Sequence, residues 1–420
     1  TIDQCFTNSN SLVLGIRNEK NEWEFRGNMS RVINVDSSVL NIYSELFGES
    51  DASEKGTLAN IHTKELNAVL LKFNSIECKL KKYEAEITPS IMLDETKAKR
   101  EGIIVRNPSF VVDKEFVLAG PHIYVGNPVF QTPNENCSSH RDYSKVDLTS
   151  INESYLPRTI YKLLKDNESI NPDPNYFYVN RKRAQPSNER TLMSCIQPPK
   201  RVHTIGCYSL HFINEYIMLS FASYSLSIIY DFYVRITNRE DILFDTISNL
   251  PVFEKPNPYV IHRSLLLNCV TRKYENLWNK YSHLLPQDDK FSIDHPITNK
   301  NNLSNNKSTW CFDIPLKDDF SRRMALIEID VIVAMELGLN WDEFINVYKV
   351  QFPVLSSNES KLLFDKNGRE VPTVLRNEYL ADKNRSTTRE NYGEYYLPFY
   401  DCNRVEDYKR AWKFFEEKFK

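Results

Sequence analysis

The chain has 420 residues, of which 41% are hydrophobic and 12% aromatic, and its formal net charge is -3. This composition excludes a disordered chain and leaves room for two or three hydrophobic cores. Because the chain is near neutral overall, contact with a polyanion such as DNA requires a local cationic patch. No run approaches 18 uninterrupted apolar residues, so the sequence predicts no membrane span.

The first part of the chain, residues 1–102, is predicted to be a mixed, mainly helical connecting region. Residues 11–35 alternate in the manner of strands. A short helix, "SVLNIYSELFG", is predicted to begin after a cap at Ser37 or Asp36 and to end at Gly48. A longer one is predicted over 63–84, because the apolar residues there recur at intervals of three and four.

The middle and last parts differ in periodicity. Residues 103–257 contain short period-two runs separated by loops that are rich in Pro and Asn, which predicts a β-rich domain. Residues 258–420 are predicted to be mainly helical, with one helix over 258–284 and a second that begins after Asp318 or Asp319 and ends at Gly338. The predicted fold class is therefore mixed α/β (α+β), with a β-rich domain flanked by helical segments.

Eight cysteines occur without a CxxC pair, which favours free thiols in a reducing cytoplasm. An alternative is a zinc site, because Cys137 and His140 on one side, and His203 and Cys207 on the other, have tolerable ligand spacing. No further residues support that site, so the sequence predicts no metal.

The sequence also lacks the motifs of a self-contained active site. No two of its 11 glycines form a GxG, so a nucleotide-binding or S-adenosylmethionine-binding loop is not expected. Four Asn-Pro segments, including 127–130, fall short of the [D/N]PP[Y/F] loop of adenine methylases and are interpreted as turns. The ExK spacings at 95–97 and 359–361 lack the further acidic residue that nuclease chemistry needs.

One stretch stands out by its charge. Residues 181–201 carry six positive side chains and one negative, and the positive ones are Arg181, Lys182, Arg183, Arg190, Lys200 and Arg201. Arginine beside Asn, Gln and Ser suits both phosphate contacts and the reading of guanine. The alternative is that these side chains simply face water.

The segments "NERTLMSCIQPP" at 188–199, "SYSLSIIYDFYVRI" at 223–236 and "LPVF" at 250–253 resemble the target-recognition region of large adenine-specific DNA methyltransferases. These include type IIG restriction–modification enzymes and phage-defence methylases of the DISARM type. Further blocks in the same order are similar to one subgroup of that family, and they lie at 118–134, 155–161, 327–339, 348–355 and 365–371.

The resemblance implies a function. This chain would recognise double-stranded DNA for an adenine-specific methyltransferase, while S-adenosylmethionine and the methylating residues would belong to a catalytic portion or subunit that precedes these blocks. No cofactor is expected in this chain. Subunits of a defence complex are possible further partners, and the alternative function is a protein-interaction scaffold in such a complex, working through the helix at 258–284 and the last helix.

The two lines of reasoning together assign roles to residues. The six cations of residues 181–201 are expected to face duplex DNA, with Arg158 as an addition. Asn188 and Glu189 are expected to brace the loop, Glu189 by orienting Arg190. Because exposed charges contribute little to folding, replacing these arginines is expected to cost little stability.

Overall fold

A computed structural model of the chain describes residues 33–47, 58, 59, 61, 63–139, 141–164, 174–301, 303 and 308–420. Within these ranges, helices and small sheets combine into a mixed α/β fold, as expected. The strand-like segment predicted over 11–35 lies outside the described residues except for its last three.

Strands are concentrated in the middle of the chain. They are β1 (Ile87–Ser90), β2 (Ile104–Ser109), β3 (Val117–Leu118), β4 (Gln131–Pro133), β5 (Tyr143–Lys145), β6 (Thr159–Leu163), β7 (Phe177–Arg181), β8 (Ser194–Gln197), β9 (Val202–His203), β10 (Cys207–Phe212), β11 (Leu363–Phe364), β12 (Asn391–Tyr392), β13 (Tyr395–Tyr396) and β14 (Tyr400–Asp401). Strands β2 to β10 all lie within 103–257, where the sequence predicts β structure.

The largest described sheet is antiparallel, with the strand order β1-β10-β7-β8. Successive side chains of a strand point to opposite faces. Tyr178 and Leu210 thus pack into the main core with the helices, whereas Phe177, Val179 and Cys195 pack into a smaller cluster on the other face. Strands β7, β8 and β10 are buried on both faces, whereas the edge strand β1 is exposed at Thr88 and Pro89.

The helices that the structure describes lie mainly in the second half of the chain. They are α1 (Ser37–Phe47), α2 (Lys64–Ser75), α3 (Glu95–Arg100), α4 (Glu215–Tyr224), α5 (Ile228–Ile236), α6 (Phe244–Ile247), α7 (Pro258–Asn268), α8 (Glu275–Tyr281), α9 (Asp319–Glu336), α10 (Trp341–Gln351), α11 (Pro353–Glu359), α12 (Thr373–Asn384) and α13 (Arg404–Lys418). Helix α4, the first of that half, packs against the sheet.

Helix α9 is the centre of the helical half, and its ends are where the sequence predicts them. The Asp318 side chain caps its first turn by accepting a hydrogen bond from the Ser321 backbone, and Gly338 follows its end with φ of 70°. Most of its residues are buried between α7 and α13, including four charged ones. A helix buried all round needs internal partners for such charges.

Two predicted helices are shorter than expected. Helix α2 ends at Ser75, well before residue 84. The helix predicted over 258–284 is interrupted after Asn268, and the chain turns before α8 begins. The break has a tertiary cause, because the carbonyl oxygen of Cys269 accepts from Trp310 Nε1 (3.0 Å) and Arg272 N donates to the carbonyl oxygen of Glu153 (2.8 Å).

One continuous hydrophobic core contains residues from Tyr43 to Phe415. It therefore includes residues from both sides of the boundary that the sequence predicts between residues 257 and 258. The last helix, α13, contributes Tyr408 and Phe415 to it, and Trp412 lies edge-on to Trp341 at 5.7 Å between ring centroids. The aromatic stripe of this helix thus docks largely on the chain's own core.

Among the described residues, no single helix is both long and apolar enough to cross a membrane. The bent pair α4 and α5, which meet at 81°, passes that test only when the two helices are taken together, by length and composition. Most residues of both helices are buried inside the protein.

Candidate functional site

Arg190 lies inside the protein. Its side chain is 3% exposed, its Nε lies 2.7 Å from Oδ2 of Asp231, and its Nη2 donates to the carbonyl oxygen of Leu226 at 2.8 Å. The same carboxylate accepts the Thr191 backbone N–H and binds Arg235 at 3.1 Å. The prediction that Arg190 faces DNA is therefore wrong, because its guanidinium is enclosed and ion-paired.

Arg201 and Arg181 are also engaged internally. Arg201 is 6% exposed, its Nη2 lies 3.0 Å from Oδ1 of Asp113, and its guanidinium stacks over the ring of Phe116 at 4.6 Å. Burial lowers the pKa of Arg201, against the opposing effect of Asp113. Arg181 directs Nε and Nη2 to the carbonyl oxygen of Ile123 at 3.0 and 2.7 Å. The DNA-facing prediction is wrong for Arg201, and Arg181 is only partly accessible.

Three of the other residues that the sequence predicts to face DNA have acidic partners within the protein. Lys182 Nζ lies 3.2 Å from Oδ2 of Asp241, and Arg183 Nη1 lies 3.3 Å from Oδ1 of the same residue. Arg183 is nevertheless 65% exposed, so solvent screens its ion pair. Arg158 pairs with Glu135 at 2.9 Å and has a 20% exposed side chain.

The two most exposed cations of residues 181–201 lie at opposite ends of a strand pair. Strand β7 pairs with β8 from Phe177 to Asn180. Arg183 follows the Asn180 end, whereas Lys200 follows the end of β8 that is paired with Phe177. The six cations consequently do not form one surface, and DNA contact remains a prediction for Arg183 and Lys200.

Asn188 closes a local turn, since its backbone N donates to the carbonyl oxygen of Gln185 (3.0 Å) and its Nδ2 to Oε1 of the same residue (2.5 Å). The carboxylate of Glu189 accepts from Tyr124 Oη at 3.1 Å and from Asn358 Nδ2 at 2.5 Å. The expectation that Glu189 orients Arg190 is wrong, because Asp231 does so.

Glu189 and Arg190 line a cavity of about 360 Å³. Other parts of its wall come from residues 124–130, from α9, from α11 and from α13. Four of the blocks that carry the resemblance contribute to the lining, and these are 118–134, 188–199, 348–355 and 365–371. Segments that are far apart in sequence thus meet at one place.

A tight turn supplies one wall of this cavity. Tyr124 and Asn127 exchange backbone hydrogen bonds of 2.9 and 3.1 Å, and Gly126 between them has φ of 64°. The Gly126 carbonyl oxygen accepts from Arg322 Nη2 at 3.0 Å, which ties the turn to helix α9. The segment 127–130 therefore begins in a turn, as predicted.

Ion pairs make up much of the cavity floor. Glu359 binds Arg323 at 2.7 Å and Arg404 at 2.6 Å, and all three side chains are at most 8% exposed. Arg323 also binds Asp407, and Arg404 also binds Asp330. Because these charges satisfy one another, they form a rigid polar surface with no carboxylate left for a metal at Glu359.

Two charged residues of the cavity form no ion pair within 4.0 Å with a residue in the described part of the chain. Glu189 is one, since its two hydrogen bonds come from neutral groups. Arg322 is the other: it donates to the carbonyl oxygens of Leu267 (3.0 Å), Leu316 (2.8 Å) and Gly126 (3.0 Å). Burial lowers the pKa of Arg322 to about 10.

A set of exposed cations outside residues 181–201 was missed at the sequence level. Lys97, Lys99 and Arg100 lie on α3, Arg106 lies on the adjacent β2, and Arg141 lies in the loop whose carbonyl oxygens accept from Arg106. None of the five forms an ion pair with a described residue. The segment "ETKAKR" at 95–100 carries three cations in six residues, a pattern that could have identified it.

The residues of the alternative zinc site have other roles where the structure describes them. His203 is buried, with Nε2 2.8 Å from Ser209 Oγ and Nδ1 2.9 Å from the Thr204 carbonyl oxygen. Cys137 donates to the Ser139 carbonyl oxygen at 3.2 Å, and His140 lies outside the described residues. No group of three or more His, Cys, Asp or Glu side chains among the described residues could hold a metal ion.

Comparison with known protein families and with curated proteins finds no match to this chain.

Proposed function

We propose that this chain is the DNA target-recognition portion of an adenine-specific, S-adenosylmethionine-dependent DNA methyltransferase of a restriction–modification or phage-defence system. In this proposal the cofactor and the methyl transfer belong to a catalytic portion or subunit, the substrate is double-stranded DNA, and the protein acts in the cytoplasm. Subunits of a defence complex are further possible partners.

The observation that carries the proposal is the set of exposed cations on α3, on β2 and at Arg141. Lys97, Lys99, Arg100 and Arg141 are exposed and have no acidic partner among the described residues. A cation that has no acidic partner in the protein is free to pair with a DNA phosphate. Each phosphate that is neutralised in this way releases counterions from the DNA, which makes binding depend on salt. We name these residues, with Arg106, the α3–β2 cationic face.

The alternative of a scaffold subunit has less support. Its proposed working surfaces were the helix at 258–284 and the last helix. Those segments bury Leu265, Trp278, Tyr408 and Phe415 within the chain's own core. Most of the large apolar side chains that a stable protein interface would use are thus already covered, and Phe419, at 41% exposed, is the exception at the end of the last helix.

The test is binding of the chain to a mixed-sequence DNA duplex at several salt concentrations. In one triple variant, Lys97, Lys99 and Arg100 are replaced by Gln; the matched control replaces Lys349, Lys409 and Lys413, which are exposed on α10 and α13. The first variant should bind more weakly and lower the slope of log Kobs against log[salt] by about 3, whereas the control should match wild type.

Two results would reject the proposal. One is wild-type binding that is absent or independent of salt. The other is an α3 triple variant that binds like its control. A further variant, in which Arg183 and Lys200 are replaced by Gln, tests the exposed cations of residues 181–201 separately.

A further inference from the structure

In the cavity beside Glu189, the carboxylate of Glu189 and the guanidinium of Arg322 form no ion pair within 4.0 Å with a described residue, and Asp319 and Asp318 act on Arg322 only from a greater distance. Every other acid in its lining has a cation within 4.0 Å: Asp319 and Glu370 bind Lys145, and Glu359 binds two arginines. Glu189 has only neutral partners, and Arg322 has only backbone carbonyl oxygens. The Nε–H of Arg322, which is 8% exposed, donates to no described residue. A ligand that accepts a hydrogen bond from Arg322 and donates one to the carboxylate of Glu189 would supply the missing partner of each side chain.

Two aromatic side chains, Tyr124 and Phe130, line the same cavity. The rings of Tyr124 and Phe130 stack with centroids 4.6 Å apart and an interplanar angle of 23°. The Tyr124 hydroxyl donates to Glu189, so the carboxylate is fixed beside this pair. Stacked aromatic rings of this kind bind a further planar ring well, because every heteroaromatic base has a flat π face.

We propose that this cavity binds a guanine-type base. The N1–H and N2–H groups of guanine form a pair of adjacent donors that suits the carboxylate of Glu189. Its O6 and N7 atoms form a pair of acceptors that suits an arginine such as Arg322. Adenine has no such pair of adjacent donors. The cavity volume of about 360 Å³ lies in the range of ligand sites and is sufficient for a base.

The base could come from a free guanine nucleotide or from a guanine extruded from DNA, which flipping enzymes stack between aromatic side chains. The chemistry of recognition is the same for both sources. The inference does not rest on the proposed DNA function, since none of the residues of the α3–β2 cationic face lines the cavity.

The direct experiment titrates the whole chain with guanosine, inosine and adenosine in a calorimeter. Inosine lacks only the 2-amino group, so it offers Glu189 one N–H fewer than guanosine does. Guanosine should bind about tenfold more tightly than inosine, as expected for one hydrogen bond to a charged group, and adenosine should bind more weakly still.

Glu189→Gln should abolish the preference of guanosine over inosine. The matched control is Glu254→Gln, because Glu254 is also an acid that accepts from a tyrosine hydroxyl, that of Tyr83 at 2.6 Å, but lies outside the cavity. A second variant, Phe130→Leu, removes the stacking face and should weaken guanosine and inosine alike. Phe130→Leu provides an independent test of the cavity if Glu189→Gln does not fold.

Three results would overturn the inference: no saturable binding of guanosine by the folded wild type, equal binding of guanosine and inosine, or an unchanged preference in a folded Glu189→Gln. For the DNA source, the probe is a duplex with one guanine opposite an abasic site, compared with the fully paired duplex. The wild type should prefer the duplex with the unpaired guanine. Glu189→Gln should lose this preference and the α3 triple variant should keep it, so the two variants test the guanine site and the proposed DNA-binding face separately.

Discussion

Arg190 and Asp231 form an ion pair of 2.7 Å in which neither side chain is more than 3% exposed. The two residues are 41 positions apart and belong to different segments, the turn that precedes β8 and helix α5. The pair therefore fastens the loop at 186–191 to the helical core. Arg235 strengthens this connection, because it binds Asp231 and also donates to the carbonyl oxygens of Asn188 and Glu189.

Replacing Arg190 by Ala should destabilise the fold strongly. The substitution leaves Asp231 buried with fewer partners, and breaking a buried ion pair from one side costs about 3–5 kcal/mol. Urea unfolding of the variant measures this cost as a lower midpoint at an unchanged m value.

Arg183→Ala is the matched control, since Arg183 lies in the same stretch but is 65% exposed. It should change the free energy of unfolding by less than about 1 kcal/mol. Equal costs for the two variants would contradict the structural distinction between them.

These two arginines show where sequence reasoning succeeds and where it ends. The caps of α9 at Asp318 and Gly338 are local features, so the sequence predicts them. Arg183 and Arg190 are alike in charge and in local context, and only the position of Asp231 in the folded chain decides which of them is buried. The interruption after Asn268 likewise depends on Trp310, a partner 41 residues from Cys269.

A second prediction concerns the turn at the cavity wall. Gly126 has φ of 64°, and a Cβ there would lie 3.1 Å from Leu267 Cβ and 3.3 Å from Leu226 Cδ1. Gly126→Ala should therefore combine backbone strain of roughly 1–2 kcal/mol with a crowding cost of roughly 1–3 kcal/mol. Thermal and urea unfolding measure the sum.

Gly102→Ala separates the two contributions. Gly102 also has φ of 64°, but nothing lies within 4 Å of the Cβ it would gain. It should therefore show the backbone cost alone. Equal destabilisation by Gly126→Ala and Gly102→Ala would contradict the inference that the turn packs closely against Leu267.

The last prediction concerns acid stability and His122. This side chain is 0% exposed, its Nδ1 accepts from the Ala119 backbone N–H at 2.9 Å, and its Nε2 lies 2.8 Å from the Arg158 carbonyl oxygen. Burial lowers the pKa of His122 to about 4 from its ordinary value of 6.5. Between these pH values the unfolded chain binds a proton that the folded chain does not. The stabilisation is fully present above about pH 6.5 and is lost as the pH falls toward 4.

His122→Asn should reduce the pH dependence of the free energy of unfolding between pH 6.5 and 4 by up to about 3 kcal/mol. Asn keeps an acceptor for the Ala119 N–H but does not titrate, so the variant separates the charge effect from the local hydrogen bond. Urea unfolding of wild type and variant at a series of pH values gives the two slopes. A His122→Asn profile parallel to that of wild type would mean that His122 accepts its proton in the folded state as readily as in the unfolded one. That result would be incompatible with the buried, neutral ring in this structure.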